Sequence, residues 1–152
     1  MESKHFDVVV VGAGISGIGA GYYLQTKSPH KTFCIIEGRD NIGGTWDLFQ
    51  YPGIRSDSDM FTLGYAFKPW TDRKSIADGP SILSYLKETV KENNLEKKII
   101  FSHKVRSANS DSSKSEGTLE VTNNANEEIT YVTGNFLFTG TGYYNYDSGY
   151  TP

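Results

Sequence analysis

The hydrophobic pattern of the chain starts with a short apolar run. Residues 6–11 contain four consecutive valines, and a β-branched run of this length is typical of a strand buried on both faces of a parallel sheet. Residues 14–26 follow through a glycine-rich turn and predict a helix. A second apolar run at 32–36 predicts another parallel strand. The chain therefore opens as a strand–helix–strand unit, which is typical of α/β proteins.

A long irregular stretch, residues 38–80, follows the second predicted strand. It is dense in tryptophan, tyrosine and phenylalanine, and such segments have apolar surface to bury, so its composition argues against disorder. Irregular loops of this length within a compact domain usually form functional sites. We therefore expect an ordered excursion that contributes to a site.

The second half of the chain changes its period twice. Residues 81–94 carry apolar side chains at spacings of three and four, which predict a helix with Ser81 or Asp78 as its N-cap. The period then becomes two, which predicts an antiparallel meander. The predicted strands are 99–101, then 104–106, 118–122 and 128–132 of the meander, with turns at 107–116 and 123–126, and finally a buried strand at 136–139.

The turn between the first strand and the first helix carries a G-x-G-x-x-G pattern. In such a pattern Gly12 turns the chain, Gly14 lets a pyrophosphate approach the backbone, and Gly17 packs the helix against the strand. The N-terminus of the helix adds unpaired N–H groups and a partial positive charge, both of which favour phosphate. The pattern therefore predicts a site for the pyrophosphate of a dinucleotide.

A carboxylate stands where a dinucleotide site needs one. Glu37 ends the second predicted strand, twenty residues after Gly17. A carboxylate in this place accepts hydrogen bonds from the ribose hydroxyls of adenosine and repels a 2′-phosphate. The site is therefore expected to hold NAD or FAD rather than NADP.

Composition narrows the class of protein further. The length of 152 residues suits one domain, and the net charge of −3 argues against a nucleic-acid or anionic-membrane partner. No apolar run is long enough to span a bilayer, and residues 1–5 lack a signal-peptide pattern. The single Cys34 lies within the second predicted strand, where we expect a small buried side chain, and it excludes an internal disulfide. These features favour a cytoplasmic protein. No spacing of cysteine and histidine suits a metal.

Three further blocks join the glycine pattern in order. They are Gly43-Gly44-Thr45-Trp46, Tyr51-Pro52-Gly53-Ile54-Arg55-Ser56-Asp57, and residues 138–143 with Gly140-Thr141-Gly142. Together the blocks resemble the N-terminal FAD-binding portion of the flavin-containing and Baeyer–Villiger monooxygenases, over residues 7–152. The resemblance implies a Rossmann-like FAD-binding domain, with a parallel sheet, flanking helices and a three-stranded antiparallel meander. In that family NADPH reduces the flavin, which then uses O₂ to oxygenate a ketone, an amine or a sulfide.

The resemblance also implies a role for each matching residue. Gly12, Gly14, Ser16 and Gly17 would bind the pyrophosphate, Glu37 would bind the ribose, and the Val105 backbone would contact the adenine. Gly44, Thr45 and Trp46 would lie along FAD beyond the ribose, and Gly142 would contact the cofactor from the closing turn. Arg55 would contact the NADPH phosphates, and Asp57 would be the active-site aspartate. A core position would explain Trp46 as well, and a solvated loop position would explain Arg55.

The departures from the family are as informative as the matches. The glycine pattern occurs once, so we expect the NADPH-binding domain to be absent and the chain to be a truncated first portion of the FAD domain, with residues 147–150 leading into the missing part. Such a chain is expected to be inactive alone and to self-associate through apolar surface that truncation exposes. Two alternatives stay open. One is a self-contained FAD- or NAD-binding module serving a partner protein, and the other is a non-catalytic remnant of the fold.

Replacing Glu37 by glutamine tests the ribose prediction. The Glu37→Gln variant keeps the shape of the side chain and loses its charge, so FAD binding should weaken by about 1–3 kcal/mol, the value of a hydrogen bond to a charged group. A fluorescence titration of FAD measures this change. NADP binding to the unchanged chain as tightly as FAD would contradict the assignment.

Overall fold

The computed structural model describes residues 4–144. The strands are β1 (Lys4–Val11), β2 (Phe33–Ile36), β3 (Ile99–Ile100), β4 (His103–Asp111), β5 (Glu116–Asn123) and β6 (Ile129–Thr139), and the helices are α1 (Ile15–Lys27), α2 (Thr45–Leu48), α3 (Met60–Leu63) and α4 (Gly79–Glu92), with a 3₁₀ helix at Leu95–Lys98. The segment 147–150, expected to lead into a further part of the domain, lies outside the described residues. Within residues 4–144 no helix combines the length and the apolar character needed to cross a membrane.

The six strands form one mixed sheet in the order β3-β2-β1-β6-β5-β4. The strands β3, β2, β1 and β6 run parallel, while β4, β5 and β6 form antiparallel pairs. The carboxyl ends of β1, β2 and β6 consequently meet at one edge, with Val11 aligned with Ile36 on one side and with Thr139 on the other. This arrangement confirms the predicted Rossmann-like α/β fold with an antiparallel meander.

The meander and the parallel sheet share a strand, which corrects the prediction of separate strands at 128–132 and 136–139. Strand β6 is continuous: residues 129–134 pair with β5, and most of residues 132–139 pair with β1. Gly134 interrupts the apolar pattern because the neighbouring strand β1 leaves no room for a side chain there. A Cβ atom there would stand 2.8 Å from Cγ2 of Val9. The glycine marks close packing within a strand, and the sequence pattern suggested a break.

The first turn of the meander is also shorter than predicted. Strand β4 runs on to Asp111, so only the end of the expected turn at 107–116 is a turn, and a β-bulge interrupts the pairing between Val105 and Ser107. Most side chains of the second half of β4 are exposed. Strand β4 is the edge of the sheet, where polar side chains are common because they face water and discourage pairing with other chains.

Each face of the sheet has its own apolar cluster. On one face α1 and α4 pack with Val10, Ile18, Ile35, Ile82, Leu86 and Leu95, and on the other lie Val9, Cys34, Ile36, Leu119, Val121 and Val132. Cys34 is buried as predicted, and burial raises the pKa of its thiol to about 12. Helix α4 begins at Gly79, with the Asp78 carboxylate accepting a hydrogen bond from the Ser81 N–H at 2.9 Å, so Asp78 is the N-cap.

The excursion after β2 is ordered and packs on the helices, as its aromatic content predicted. The Tyr65 hydroxyl donates to the carbonyl of Ile15 at 2.6 Å, and the Tyr65 N–H donates to the Tyr85 hydroxyl at 2.7 Å. The Tyr65 ring lies against Gly19, where a Cβ atom would stand 3.0 Å from it. Burial raises the pKa of the Tyr65 hydroxyl, which therefore stays neutral. These contacts hold the beginning of α1 in place.

A Gly17→Ala substitution tests the packing of α1 against β1. A Cβ atom at Gly17 would overlap the carbonyl oxygen of Gly12, and backbone cannot rotate away as a side chain can. We expect this overpacking to cost about 3 kcal/mol, the upper end of the usual range. Alanine regains roughly 1 kcal/mol in helix propensity, so the free energy of unfolding should fall by about 2 kcal/mol.

Urea denaturation measures that loss, and Gly117→Ala is the control. A Cβ atom at Gly117 has its nearest neighbour at 3.6 Å, an ordinary contact. The control should therefore unfold near the urea concentration of the parent. An equal loss in both variants would mean that the contact between Gly17 and Gly12 is not the cause.

Candidate functional site

A cavity of about 570 Å³ lies at the edge where the parallel strands end. This volume is within the range of small-molecule pockets. Of the predicted residues Gly12, Gly14, Ser16, Glu37, Gly44, Thr45, Trp46, Val105 and Gly142 line it, while Gly17, Arg55 and Asp57 do not. The lining therefore combines residues from five separate stretches of the chain, 11–16, 36–48, 103–105, 124 and 140–142.

The glycine turn supplies the floor of the cavity. Gly12 has a φ of +98°, and a Cβ atom there would stand 2.5 Å from the carbonyl oxygen of Gly140. Gly17 lies behind the turn, so its contact is with Gly12 and not with the cavity. Gly14 precedes the first residue of α1 with no side-chain cap, and the first turn of the helix carries no acidic residue. The N-terminus of α1 therefore presents backbone N–H groups to the cavity, the arrangement that binds phosphate.

Two backbone N–H groups hold the Glu37 carboxylate in place without a ligand. The residue is 8% exposed, and its Oε2 accepts a hydrogen bond from the Ala13 N–H at 2.7 Å. Its Oε1 accepts a hydrogen bond from the Arg39 N–H at 2.9 Å. Each carboxylate oxygen has a second lone pair, so these bonds leave acceptor capacity for a ligand hydroxyl. The carboxylate therefore connects the glycine turn to the turn after β2.

This geometry sharpens the expected effect of Glu37→Gln. The amide of glutamine has one oxygen, so its NH₂ group would face either the Ala13 N–H or the Arg39 N–H. The substitution therefore also weakens a structural hydrogen bond. An unfolding curve measured beside the FAD titration separates the two effects.

A second glycine turn, Gly43-Gly44, lies directly on the first. The Gly43 N–H donates to the carbonyl of Ala13 at 2.9 Å, and a Cβ atom at Gly44 would stand 3.2 Å from the Cα atom of Gly14. Helix α2 follows at once and carries Trp46, which lines the cavity and also packs against the apolar core. Both interpretations of Trp46, a core side chain and a cavity wall, therefore describe one position.

Sequence reasoning missed part of the opposite wall. His103, Lys104 and Asn124 line the cavity beside Val105. The His103 N–H donates to the carbonyl of Glu37 at 2.9 Å, and the Asn124 side-chain amide donates to the carbonyl of Gly38 at 2.6 Å. These contacts join residues far apart in the chain, so no local motif marks them. They arise because β4 begins at the edge where β2 ends.

Arg39 is the other residue that the sequence patterns did not single out. Its guanidinium donates to the Asp47 carboxylate at 2.7 Å and to the carbonyl of Gly44 at 3.3 Å. Asp47 is buried and does not line the cavity, whereas Arg39 does. The charged lining is therefore Glu37, Arg39 and Lys104, with the charge of Arg39 neutralised by its ion pair.

Arg55 and Asp57 are exposed and do not line the cavity, so their expected roles at the NADPH phosphates and in the active site stay predictions. Arg55 forms an isolated antiparallel bridge with Asp78, and the Ser56 N–H donates to the carbonyl of Ala77 at 2.9 Å. This pairing buries Ser56 and leaves its two neighbours exposed. Asp57 lies near Tyr144, whose hydroxyl pKa is raised mainly by Tyr143 and, to a smaller extent, by the charge of Asp57.

Comparison with known proteins gives consistent matches. Residues 10–72 match the family model of the NAD(P)-binding Rossmann-like domain. The chain is 56% identical over 150 residues to the FAD-containing monooxygenase EthA of Mycolicibacterium smegmatis, an alignment that covers 99% of this chain and 30% of that protein. The chain thus spans less than a third of the length of this curated relative.

Solved structures agree with the sequence matches. The oxidized steroid monooxygenase bound to NADP is similar with a TM-score of 0.80 and 30% identity, over 91% of this chain and 26% of that one. OTEMO in complex with FAD and NADP is similar with a TM-score of 0.78 and 25% identity, over 99% of this chain and 28% of that one. The fold described above is therefore the fold of the N-terminal region of these longer proteins.

A Gly14→Val substitution tests the glycine turn as a phosphate site. The nearest atom to a Cβ at Gly14 is the Gly44 Cα at 3.8 Å, so the fold should accommodate a side chain. The branched methyl groups would stand where the backbone faces the cavity, and dinucleotide binding should be lost.

Equilibrium dialysis against FAD measures the binding, and thermal unfolding checks the fold. Gly117→Val, on β5 and away from the cavity lining, is the matched control and should bind as the parent does. Unchanged FAD affinity in the Gly14 variant would refute a phosphate site at this turn.

Proposed function

Because the chain has the sequence and the fold of the N-terminal portion of FAD-containing monooxygenases, we propose that it is the FAD-binding portion of an NADPH- and O₂-dependent flavoprotein monooxygenase. One observation carries the proposal. A single cavity runs from Glu37 and Val105, past the N-terminus of α1, to Trp46. Its chemistry changes along this length in the order that the parts of FAD require.

The middle of the cavity suits the pyrophosphate. Gly12, Gly14 and Ser16 line it beside the uncapped beginning of α1, and a Cβ at Gly12 would be blocked by Gly140. Backbone N–H groups and the partial positive charge of the helix would hold the phosphates without a cationic side chain. Gly17 supports this turn from behind.

The end formed by β2 and β4 suits the adenosine. Glu37 has acceptor capacity for the two ribose hydroxyls, and its charge disfavours a 2′-phosphate. The backbone around Val105 borders the adenine side, with His103 and Asn124 beside it. This end therefore favours FAD over NADPH as the dinucleotide of this chain.

The opposite end suits the flavin ring. Gly44 and Thr45 bring Trp46 to the cavity, where its indole forms a flat apolar wall that excludes water from one side of the ring. Thr141 and Gly142 border the cavity from the end of β6. A flavin held there would supply the redox chemistry of the longer protein, which is reduction by NADPH and O₂-dependent oxygenation of an organic substrate such as a ketone, an amine or a sulfide. The residues of this chain bind and orient the cofactor.

We propose roles for Arg55 and Asp57 in the longer protein. Both are exposed, and Asp57 lies near Tyr144 at the end of the described residues. In the longer protein we assign Asp57 to the active site and Arg55 to the NADPH phosphates, each completed by residues outside this sequence. The longer protein would work in the cytoplasm, with NADPH, O₂ and a small organic molecule as its other ligands.

An apolar surface of the described residues supports the proposal that this portion contacts further parts of a longer protein. An open apolar groove runs between α1 and β6, lined by Val8, Tyr23, Leu24, Leu63, Phe136 and Phe138 among others. Phe136 is 62% exposed, and residues 136–139 of β6 pair with β1 but not with β5. An exposed edge beside an apolar surface favours association. We assign the NADPH-binding domain and the remainder of the FAD domain to residues outside 1–152, and expect this chain alone to self-associate.

A self-contained nucleotide-binding module is the second candidate function. The observation in its favour is that both glycine turns and Glu37 stand in one cavity within this chain. Such a module would carry its nucleotide to a partner protein and oxygenate nothing. Purified protein that is yellow contains flavin, whereas bound NAD leaves it colourless.

An activity assay on the isolated chain distinguishes an FAD-binding portion from a self-sufficient flavoenzyme. With FAD at saturation the 152-residue chain should not oxidise NADPH, because delivery of the hydride needs a second nucleotide site. Absorbance of the reduced nicotinamide reports this reaction, and gel filtration with added FAD reports association. We expect weak FAD binding, no turnover and oligomers. Rapid FAD-dependent turnover by a monomer would overturn the proposal and favour a self-sufficient flavoenzyme.

A further inference from the structure

An ion pair joins the turn after β2 to residues 43–48, the second glycine turn with helix α2, which together we call the Trp46 loop. Nη2 of Arg39 lies 2.7 Å from Oδ2 of Asp47, and Nη1 donates to the carbonyl of Gly44 at 3.3 Å. The side chain of Asp47 is 10% exposed and that of Arg39 is 33% exposed. One planar guanidinium thus binds both a side chain and the backbone of the same loop, a geometry that a lysine cannot reproduce.

The backbone of Arg39 acts on the other half of the cavity. Its N–H donates to Oε1 of Glu37, and its carbonyl accepts from the Ser102 N–H at 3.0 Å. Both contacts use backbone atoms of residue 39, so methionine or lysine at this position can keep them. Substitution at this position therefore changes the Trp46 loop and leaves the support of Glu37 intact.

The loop needs such a restraint because its backbone is unusual. Gly43 and Gly44 have φ angles of +114° and +54°, and glycine carries the largest conformational entropy to be lost on ordering. Asp47 sits over Gly43, where a Cβ atom would stand 3.1 Å from the Cβ of Asp47. The side chain that Arg39 binds therefore lies over the first glycine of this turn.

We propose that Arg39 and Asp47 are a positioning pair that holds the Trp46 loop in place for the flavin half of FAD. This role rests on the function proposed above and adds the residues that orient one half of the cofactor. Stability alone does not account for the pair, since a partly buried ion pair often contributes no more than apolar side chains of similar size. Asp47 does not line the cavity, so it acts through Arg39 and the loop.

The test uses ligands that report separately on the two halves of the site. FAD occupies both halves, whereas ADP presents only the adenosine and the phosphates. The main variant is the double substitution Arg39→Met with Asp47→Leu, which removes the pair without leaving a buried charge. Arg39→Lys is the conservative variant, because it keeps the charge and loses the planar fork.

Glu92→Gln is the matched control. It removes an ion pair with Lys68 at 2.7 Å, on α4 and outside the cavity lining. Isothermal titration gives the affinities of all variants for FAD and for ADP. Visible circular dichroism of the bound flavin reports the order around the ring, and urea unfolding reports the fold.

We expect the double variant to lose about tenfold in FAD affinity, a change of one decade in Kd, and to keep its ADP affinity within about twofold. The flavin dichroism should weaken, and Arg39→Lys should fall between the parent and the double variant. The control should match the parent in every measurement. Unfolding midpoints close to the parent's exclude a general loss of structure.

Two results would overturn the positioning role. Unchanged FAD affinity and dichroism in the double variant would mean that the loop needs no ion pair. Equal losses for FAD and ADP would mean that the pair supports the whole fold and not the flavin half. Failure of the unsubstituted chain to bind FAD at all would instead refute the function on which this role rests, and the role with it.

Discussion

The backbone contact between α1 and the end of β1 is the constraint on which the rest of the structure depends. Gly17 lies against the carbonyl of Gly12, and Gly12 in turn lies against Gly140 at the end of β6. Any side chain at these points would separate the helix from two parallel strands. Because the three backbones meet without side chains, the uncapped N-terminus of α1 stands directly over the edge of the sheet. The cavity exists because of this proximity.

The remaining walls of the site assemble around that turn through hydrogen bonds. Ala13 connects the first glycine turn to Glu37 and to the second glycine turn, because its N–H donates to Glu37 and its carbonyl accepts from the Gly43 N–H. Arg39 then joins the turn after β2 to the loop of Trp46. The groups assigned to ribose, phosphates and flavin thus hold one another in place without a ligand. A site prepared in this way spends little of its binding energy on ordering the protein.

The two regions of the sheet serve different purposes. The parallel strands bring their carboxyl ends and the helix N-terminus to one edge, as ligand sites of doubly wound folds require. The antiparallel strands supply one wall of the cavity through His103 and Val105, at the beginning of β4. Strand β6 belongs to both regions, and its second half leaves an apolar groove beside α1. The described portion therefore combines a cavity at the ends of the parallel strands with an open apolar groove.

The sequence by itself determined the features that rest on local steric and spacing requirements. The strand–glycine–helix unit, the place of Glu37, the burial of Cys34 and the order of the excursion were all predictable, because each depends on neighbouring residues or on hydrophobic period. Only the tertiary structure decided that β6 is one strand, that Arg39 pairs with Asp47, that His103 and Asn124 reach the cavity, and that Arg55 and Asp57 lie outside it. These features depend on pairing between distant segments. Local composition suggested a break at Gly134 and a turn in the polar second half of β4. Gly134 instead packs against Val9 within one strand, and β4 is an exposed edge strand.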